Sequence, residues 1–145
     1  MEPQHQPEIA PIREEPQRRQ WNDYYRSRTP NPDPWLDRHI LRFRSTDTCV
    51  ILDLGCGDGT NIPSLRGAAS IVHALDYSAE AIARLPQTPE IHARVADMRA
   101  PLPYPDAYFD LIVSDLSLHY FSESETRRII TEVSRILKPE AILVA

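Results

Sequence analysis

Three of the four glycines in the chain fall within residues 51–60, where the sequence reads ILDLGCGDGT. An apolar run precedes them and a helical segment follows. A strand that runs into Gly55, Gly57 and Gly59 places bare backbone amides at the carboxyl edge of a parallel sheet, where ligands of such folds bind. The missing side chains let a ligand approach the backbone, and the start of the next helix favours negative charge. A dinucleotide is therefore one candidate ligand.

The spacing of these glycines argues against a dinucleotide. The nicotinamide fingerprint G-x-G-x-x-G requires its third glycine at position 60, but that residue is Thr60. Asp53 also precedes the loop, close to where a pyrophosphate would lie. Because like charges repel, a ligand with a positively charged group suits this acid better than a ligand with two phosphates.

Short apolar runs separated by helical segments follow one another from Cys49 onward. This alternation is expected of parallel βαβ units. The predicted strands cover residues 50–54, 71–75, 91–96, 111–114 and 141–144. The sequence therefore predicts one α/β core over residues 49–145, with the glycine loop at the end of its first strand.

Three helices are predicted between these strands. The first covers residues 61–66 and is closed by Gly67, and the second covers residues 78–85 and is closed by a proline. The third begins with a capping box, in which Ser122 is followed three residues later by Glu125, and continues at helical spacing until Pro139 stops it.

The first 48 residues differ in character from the core. Half of the fourteen prolines fall among them, and residues 1–16 predict a disordered Pro-rich tail because they carry too little apolar surface to offset the cost of ordering. Residues 17–48 predict two helices. The first covers residues 17–28, and the second begins with Asp33 as its N-cap and Pro34 in its first turn. The apolar face of the second helix is predicted to hold Trp35, Leu36, Ile40 and Phe43.

The composition excludes several classes of partner. The net charge is −5 at pH 7, which weakens any case for a nucleic-acid surface. The two cysteines, Cys49 and Cys56, are typical of reduced thiols in a cytosolic protein. The histidines are scattered along the chain, and we predict no metal site. The first ten residues, MEPQHQPEIA, lack the basic start and apolar stretch that are typical of a signal peptide, and no apolar run approaches the ~20 residues needed to span a bilayer. We therefore expect a cytoplasmic protein without nucleic-acid or membrane partners.

Four blocks of the chain resemble the class I S-adenosylmethionine-dependent methyltransferases, in particular the group that includes the type 11 and ubiquinone-pathway enzymes. In chain order they are LDLGCGDGT, ALDYS, VADMRAPLPYPDAYFDLIVSDLSLHYF and EVSRILKPEAILVA, and together they span roughly residues 49–145. The resemblance implies a Rossmann-like, doubly wound sheet with strand order 3-2-1-4-5, and S-adenosylmethionine as the cofactor.

The resemblance also assigns roles to individual residues. Gly55 and Gly57 would let the methionine part of the cofactor lie against the backbone, with Asp53 acting on the loop or on the cofactor's amino group. Asp76 would bind the ribose hydroxyls, and the pair Asp97 and Met98 would hold the adenine. The predicted cofactor-binding residues are Asp53, Gly55, Cys56, Gly57, Asp76, Tyr77, Asp97, Met98 and Ser114. Together with Asp115, Ser114 would border the methyl-transfer pocket.

Several of these residues have a structural alternative. Asp76 could be a turn residue, Asp97 a solvated loop acid, and Cys56 a small loop filler. His119 follows the fourth strand and is the one candidate for a catalytic base, but it could equally orient a turn. The aromatic residues of the first helix, Trp21, Tyr24 and Tyr25, could form a lid over the cofactor or pack on the sheet.

The chain departs from the family pattern near its end. The family has Pro-Gly-Gly after its last helix, whereas this chain has Pro139, Glu140 and Ala141. Losing both glycines is expected to strain or reshape that turn. The family's further helix and antiparallel strands are also missing after Ala145, as in a member truncated after its fifth strand. That strand would then be an exposed edge, which could pair with another chain.

These observations predict an enzyme that transfers a methyl group to a small-molecule acceptor. A noncatalytic S-adenosylmethionine-binding module, such as a subunit of a larger assembly, is the alternative, and a nicotinamide oxidoreductase is disfavoured by the glycine spacing.

Overall fold

The computed structural model describes residues 16–30, 34–40 and 48–145. A five-stranded parallel sheet runs through it, with the strands in the order β3-β2-β1-β4-β5. The strands are β1 Val50–Leu54, β2 Ile71–Asp76, β3 Ile91–Val95, β4 Phe109–Val113 and β5 Leu137–Val144. The helices are α1 Pro16–Ser27, α2 Asp37–Ile40, α3 Ile62–Ala68, α4 Ala79–Ala83 and α5 Glu123–Ile136. The predicted fold class and strand order are confirmed.

The two central strands, β1 and β4, are apolar on both faces because helices cover both sides of the sheet. Ile51 of β1 packs in a cluster with Leu65 of α3 on one side. Its neighbour Leu52 points the other way and packs in a cluster with Ile129 and Val133 of α5. Burial on both sides holds the carboxyl ends of β1 and β4 in fixed positions, and the glycine loop starts at the end of β1.

Two helix ends differ from the predicted ones. We predicted that Gly67 closes α3, which is wrong, because Gly67 lies inside the helix and Ala69 ends it in an extended conformation. The helix α5 starts at the predicted capping box but ends at Ile136, so that Leu137 is already in β5. Lys138 precedes a proline and is therefore biased away from the helical conformation, which favours this early end.

The strand β5 contains the turn that lacks the family's glycines. Its pairing with β4 skips from Leu137, opposite Phe109, to Ile142, opposite Leu111. Between these pairs Glu140 adopts a φ of +64°, a left-handed conformation that favours glycine. The prediction of a strained turn is confirmed. Ile142 on this edge strand is 49% exposed, and pairing of the edge with another chain stays a prediction.

The helix α1 matches the first predicted helix and packs beside α4. Arg18 donates from Nε to the backbone carbonyl of Tyr77 at 3.1 Å, and Ser78 donates from Oγ to Asn22 at 2.6 Å. At the far end of α1, Arg84 donates to the carbonyls of Arg26 and Arg28 (2.9 and 2.6 Å). These bonds hold α1 across the carboxyl end of β2.

The second amino-terminal helix is a 3-10 turn, Pro34–Leu36, followed directly by α2. Leu36 and Ile40 of this segment are buried, as predicted. The tail was predicted over residues 1–16, and its residues 1–15 lie outside the described residues, as do the N-cap Asp33 and the apolar residue Phe43. Among the described residues, no helix has the length and apolar character that crossing a membrane requires.

Candidate functional site

The glycine loop between β1 and α3 is packed so closely that side chains would not fit at two of its glycines. Gly55 and Gly57 have φ angles of +76° and +53°. A Cβ atom on Gly55 would lie 2.6 Å from Cβ of Ser117, and one on Gly57 would lie 2.6 Å from the Tyr25 hydroxyl. The amides of Gly55 and Cys56 donate to the carbonyl of Leu75 at 2.7 and 3.0 Å, which fastens the loop to β2.

Asp76, at the end of β2, joins the loop to the neighbouring turn. Its Oδ2 accepts from the amide of Gly57 and its Oδ1 accepts from the amide of Ser78, both at 2.8 Å. Burial raises the pKa of this carboxyl, and the backbone hydrogen bonds partly oppose that rise. Each oxygen of a carboxylate has a second lone pair. Asp76 lines the cavity above the loop, so these lone pairs can accept hydrogen bonds from ligand hydroxyl groups.

A cavity of about 700 Å³ lies over the loop at the carboxyl ends of the strands. This volume is in the range of about 300–1,000 Å³ that is usual for small-molecule sites. Seven of the predicted cofactor-binding residues line it together: Gly55, Cys56, Gly57, Asp76, Tyr77, Asp97 and Met98. The other two, Asp53 and Ser114, do not line it, and neither does His119.

Asp97 and Met98 follow β3 and form one end of the cavity. Both oxygens of Asp97 accept from the guanidinium of Arg99, at 2.7 to 3.0 Å. Partial burial by itself raises the pKa of the Asp97 carboxyl, but the hydrogen bonds and charge of Arg99 outweigh it, so that the pKa lies below its usual value. The Tyr77 ring faces the same end, with the guanidinium of Arg18 stacked 4.1 Å from its centre.

Asp53 lies beneath the loop, where its side chain is 1% exposed. Its Oδ2 has no hydrogen-bond partner within the described part of the chain. Burial, together with the charges of Asp115 and Asp76, raises the pKa of Asp53 to about 8. An acid in this position is held largely neutral at pH 7, and a cationic group bound in the cavity above it would favour its ionised form.

Ser114 contacts the cavity wall through another serine. Its Oγ lies 2.6 Å from Oγ of Ser117, and Ser117 also donates to the carbonyl of Leu54 at 3.2 Å. Ser117 lines the cavity, whereas Ser114 is buried behind it. The effect of Ser114 on a bound ligand would therefore pass through Ser117.

His119 lies on a 3-10 turn, Leu118–Tyr120, that follows β4. Its ring is exposed and lies 4.0 Å from the Tyr120 ring, measured between ring centres. It lines a second, shallow groove beside α5 rather than the cavity over the glycine loop. The structure thus separates His119 from the other predicted site residues, and its role as a base stays a prediction.

The helix α1 supplies an aromatic wall to the cavity. Trp21, Tyr24 and Tyr25 all line it, and the Trp21 ring packs edge-on against Tyr120 with 4.9 Å between their centres. Tyr25 is buried against the loop, and this burial raises the pKa of its hydroxyl. Tyr25 thus covers the loop at Gly57, Trp21 and Tyr24 line the cavity beside it, and their role as a lid stays a prediction.

Trp35 and Asn61 are among the cavity residues that the sequence did not predict, although their neighbour Asp115 was expected at the pocket. The indole Nε1 of Trp35 donates to Oδ2 of Asp115 at 3.0 Å, and Nδ2 of Asn61 donates to the same oxygen at 3.2 Å. Asn61 follows the glycine loop directly, so its place in the chain could have indicated it. Trp35 is separated from Asp115 by 80 residues, and no local pattern indicates their contact.

Within residues 16–30, 34–40 and 48–145, no cluster of three or more His, Cys, Asp or Glu side chains has the arrangement of a metal site. The cavity is lined by carboxylates, guanidinium groups, amide and hydroxyl side chains, and aromatic rings, and this mixture suits an organic ligand.

Comparisons with known proteins agree with this geometry. The family model Methyltransf_11, a methyltransferase domain, matches residues 52–145. An uncharacterized methyltransferase of Synechocystis sp. is 32% identical over 63% of this chain and 43% of its own length. The malonyl-[acyl-carrier protein] O-methyltransferase of Erwinia billingiae is 37% identical over 61% of this chain and 35% of its own length.

A solved structure shares both sequence and fold with the chain. The S-adenosylmethionine-dependent methyltransferase of Mesorhizobium loti is 32% identical and superimposes with a TM-score of 0.62, over 76% of this chain and 51% of its own. The chain spans about two fifths of the length of the first curated relatives that it matches (43% and 40%).

Proposed function

Because the chain belongs to the class I S-adenosylmethionine-dependent methyltransferases, we propose that it transfers a methyl group from S-adenosylmethionine to a small-molecule acceptor. The observation that carries the proposal is the cradle formed by Gly55, Gly57 and Asp76. The two glycines line the cavity without side chains at the end of β1, and a buried carboxylate lies beside them at the end of β2.

The cavity residues fit the chemical groups of this cofactor. Asp76 has acceptor positions left for the ribose hydroxyls, after its two bonds to backbone amides. Met98 and Tyr77 offer apolar surface for the adenine, and Asp97 offers an acceptor for its amino group. Gly55, which lines the cavity without a side chain, fits the amino-acid end of the cofactor, and the positive charge of the cofactor's amino group would favour the ionised form of Asp53 beneath the loop.

The bound cofactor supplies a sulfonium methyl group that a nucleophile can displace in line. For such a displacement the protein mainly has to align two reactants and exclude water. The aromatic wall of α1 and the loop after β4 enclose the cavity on two sides, with Tyr25 over the glycine loop and Ser117 opposite Gly55. A general base is needed only where the acceptor must lose a proton.

A noncatalytic binding module is not favoured, because the family model and the curated relatives are methyltransferases. Incubation of the purified chain with methyl-labelled S-adenosylmethionine and a metabolite extract separates the two functions. We expect label to pass from the cofactor to a small molecule, and we expect Gly57→Val to abolish the transfer because its side chain would collide with Tyr25. Cofactor binding without any transfer to metabolites would contradict an enzymatic role.

A further inference from the structure

The side wall of the cavity after β4 contains a carboxylate, Asp115, that forms no ion pair with the cations of the described residues. Oδ2 of Asp115 is oriented by two neutral donors, Nε1 of Trp35 and Nδ2 of Asn61. None of the ion pairs among the described residues involves Asp115. By contrast, Asp97 and Asp58 of the same cavity each face an arginine.

Asn61 adds a second acceptor beside this carboxylate. A carboxylate can only accept, so the amide of Asn61 must turn its NH₂ group towards Asp115 and its Oδ1 away. That Oδ1 is buried and has no hydrogen-bond partner among the residues that the structure describes. Asn61 as a whole is 4% exposed and lines the cavity. A buried carbonyl oxygen without a donor is costly, and a ligand N–H group would satisfy it.

Aromatic and apolar side chains surround the same space. Trp35, Trp21, Tyr24 and Tyr120 all line the cavity, and the Trp21 ring lies 4.9 Å from Tyr120 and 5.7 Å from Tyr24. Ring faces attract organic cations. The next residue, Leu116, is held at a φ of +50° and is 77% exposed at the cavity. A strained non-glycine residue at a ligand site is retained where it has a function.

We propose that Asp115, Asn61 and Trp35 form a subsite for the amino group of the methyl acceptor, which is therefore an amine with an apolar or aromatic body. The proposal rests on the proposed function and deepens it. Before the transfer, the Asp115 carboxylate takes one proton from the bound ammonium group, which frees the nitrogen lone pair, and it later releases this proton to solvent. The lone pair then forms the new N–C bond while the S–C bond breaks and its electron pair stays on sulfur.

The cofactor also carries an amino group, so the same subsite chemistry has two possible sources. Titration of the full chain with S-adenosylhomocysteine, followed by calorimetry, distinguishes them. We expect Asp115→Asn to bind S-adenosylhomocysteine within about twofold of wild type, because the acceptor's amino group and not the cofactor's occupies the subsite. A tenfold or greater loss of affinity in this variant would assign the subsite to the cofactor and overturn the proposal.

The chain offers a direct optical probe for the acceptor. Its only two tryptophans, Trp21 and Trp35, both line the cavity. With S-adenosylhomocysteine present, 2-phenylethylamine should change the tryptophan fluorescence saturably, and 2-phenylethanol should bind at least tenfold more weakly. Asp115→Asn should remove this preference, and Asn61→Ala should reduce it. Asp106→Asn, which alters an exposed acid paired with Arg135, should keep it.

Equal responses to the amine and the alcohol, or no response to either in the wild-type protein, would overturn the amine subsite. The proposed function fails separately, if the folded wild-type chain binds neither S-adenosylmethionine nor S-adenosylhomocysteine. Melting curves of the two variants check that they remain folded.

Discussion

Three aspartates of the site differ in their roles because their surroundings differ. Asp76 accepts hydrogen bonds from two backbone amides and faces the cavity. Asp115 faces the cavity and two neutral donors. Asp53 is buried with an unsatisfied oxygen beneath the loop. Burial next to two other acids destabilises the ionised form of the Asp53 carboxyl relative to its neutral form.

The free energy of unfolding should therefore depend on pH through Asp53. Its pKa is about 8 in the fold and near its ordinary value in the unfolded chain, so its contribution to stability is full in acid and is lost as the pH rises towards 8. Between about pH 5.5 and about pH 8 the wild-type protein should lose stability faster than Asp53→Asn, by at most about 1.4 kcal/mol per pH unit. Urea unfolding at several pH values measures this difference.

The exposed acid Asp106 provides the control for this measurement. Asp106→Asn should follow the pH dependence of the wild-type protein. Parallel curves for the wild type and Asp53→Asn would show that Asp53 is already ionised in the folded protein at neutral pH, contrary to its buried environment.

At the scale of elements, the amino end of α5 should contribute measurably to stability. The amide of Glu125 donates to Oγ of Ser122 at 3.3 Å, and the amide of Ser122 donates to Oε2 of Glu125 at 2.9 Å. Ser122→Ala should lower the free energy of unfolding by about 1 kcal/mol, because it removes the cap. Ser134→Ala, at an exposed position inside the same helix, is the matched control and should change it little. Equal losses in the two variants would mean that the cap does not stabilise α5.

A substitution in the strained turn of β5 should instead raise the free energy of unfolding. Glu140 adopts a φ of +64°, which costs a side-chain-bearing residue more than glycine. Glu140→Gly should raise the free energy of unfolding by up to about 1 kcal/mol, whereas Glu140→Ala retains Cβ and should not. Thermal melts of both variants measure this. A Gly variant that is no more stable than the Ala variant would contradict strain at this position.

Most elements could be predicted from the sequence because their signals are local. The apolar runs of the central strands and the capping box at Ser122 each lie within a few neighbouring residues. The end of α3 was predicted incorrectly because glycine closes a helix only in a left-handed conformation, and Gly67 stays helical. The turn after α5 lacks the family's two glycines. Its strain was predicted from the sequence and is found at Glu140, which adopts a positive φ.

The site could be predicted only in part. The glycine loop, Asp76 and Asp97 follow strands directly, so the topology brings them to one edge of the sheet. The contacts of Asp115 with Trp35 and Asn61 join segments 80 and 54 residues apart, and the register of such contacts is set by packing. The position of His119 could not be predicted either, because the 3-10 turn that contains it places its side chain in the groove beside α5 and not in the cavity.

For the whole molecule, the arrangement of α1 decides how the cavity closes. Bonds from Arg18, Asn22 and Arg84 tie α1 to the segment around α4, and its aromatic residues then extend over the glycine loop. The cavity over the glycine loop is thus built from the sheet and closed by a helix that precedes it in the chain. We therefore expect cofactor binding to depend on the side chain of Asp76, which lies at the carboxyl end of β2.

Calorimetric titration of the folded chain with S-adenosylmethionine tests the account most directly. We predict saturable binding at one site, weakened at least tenfold in Asp76→Asn because one oxygen acceptor is replaced by a donor, and unchanged in Asp106→Asn. A folded protein that binds no S-adenosylmethionine, or that binds it equally well with Asp76 replaced, would contradict the account.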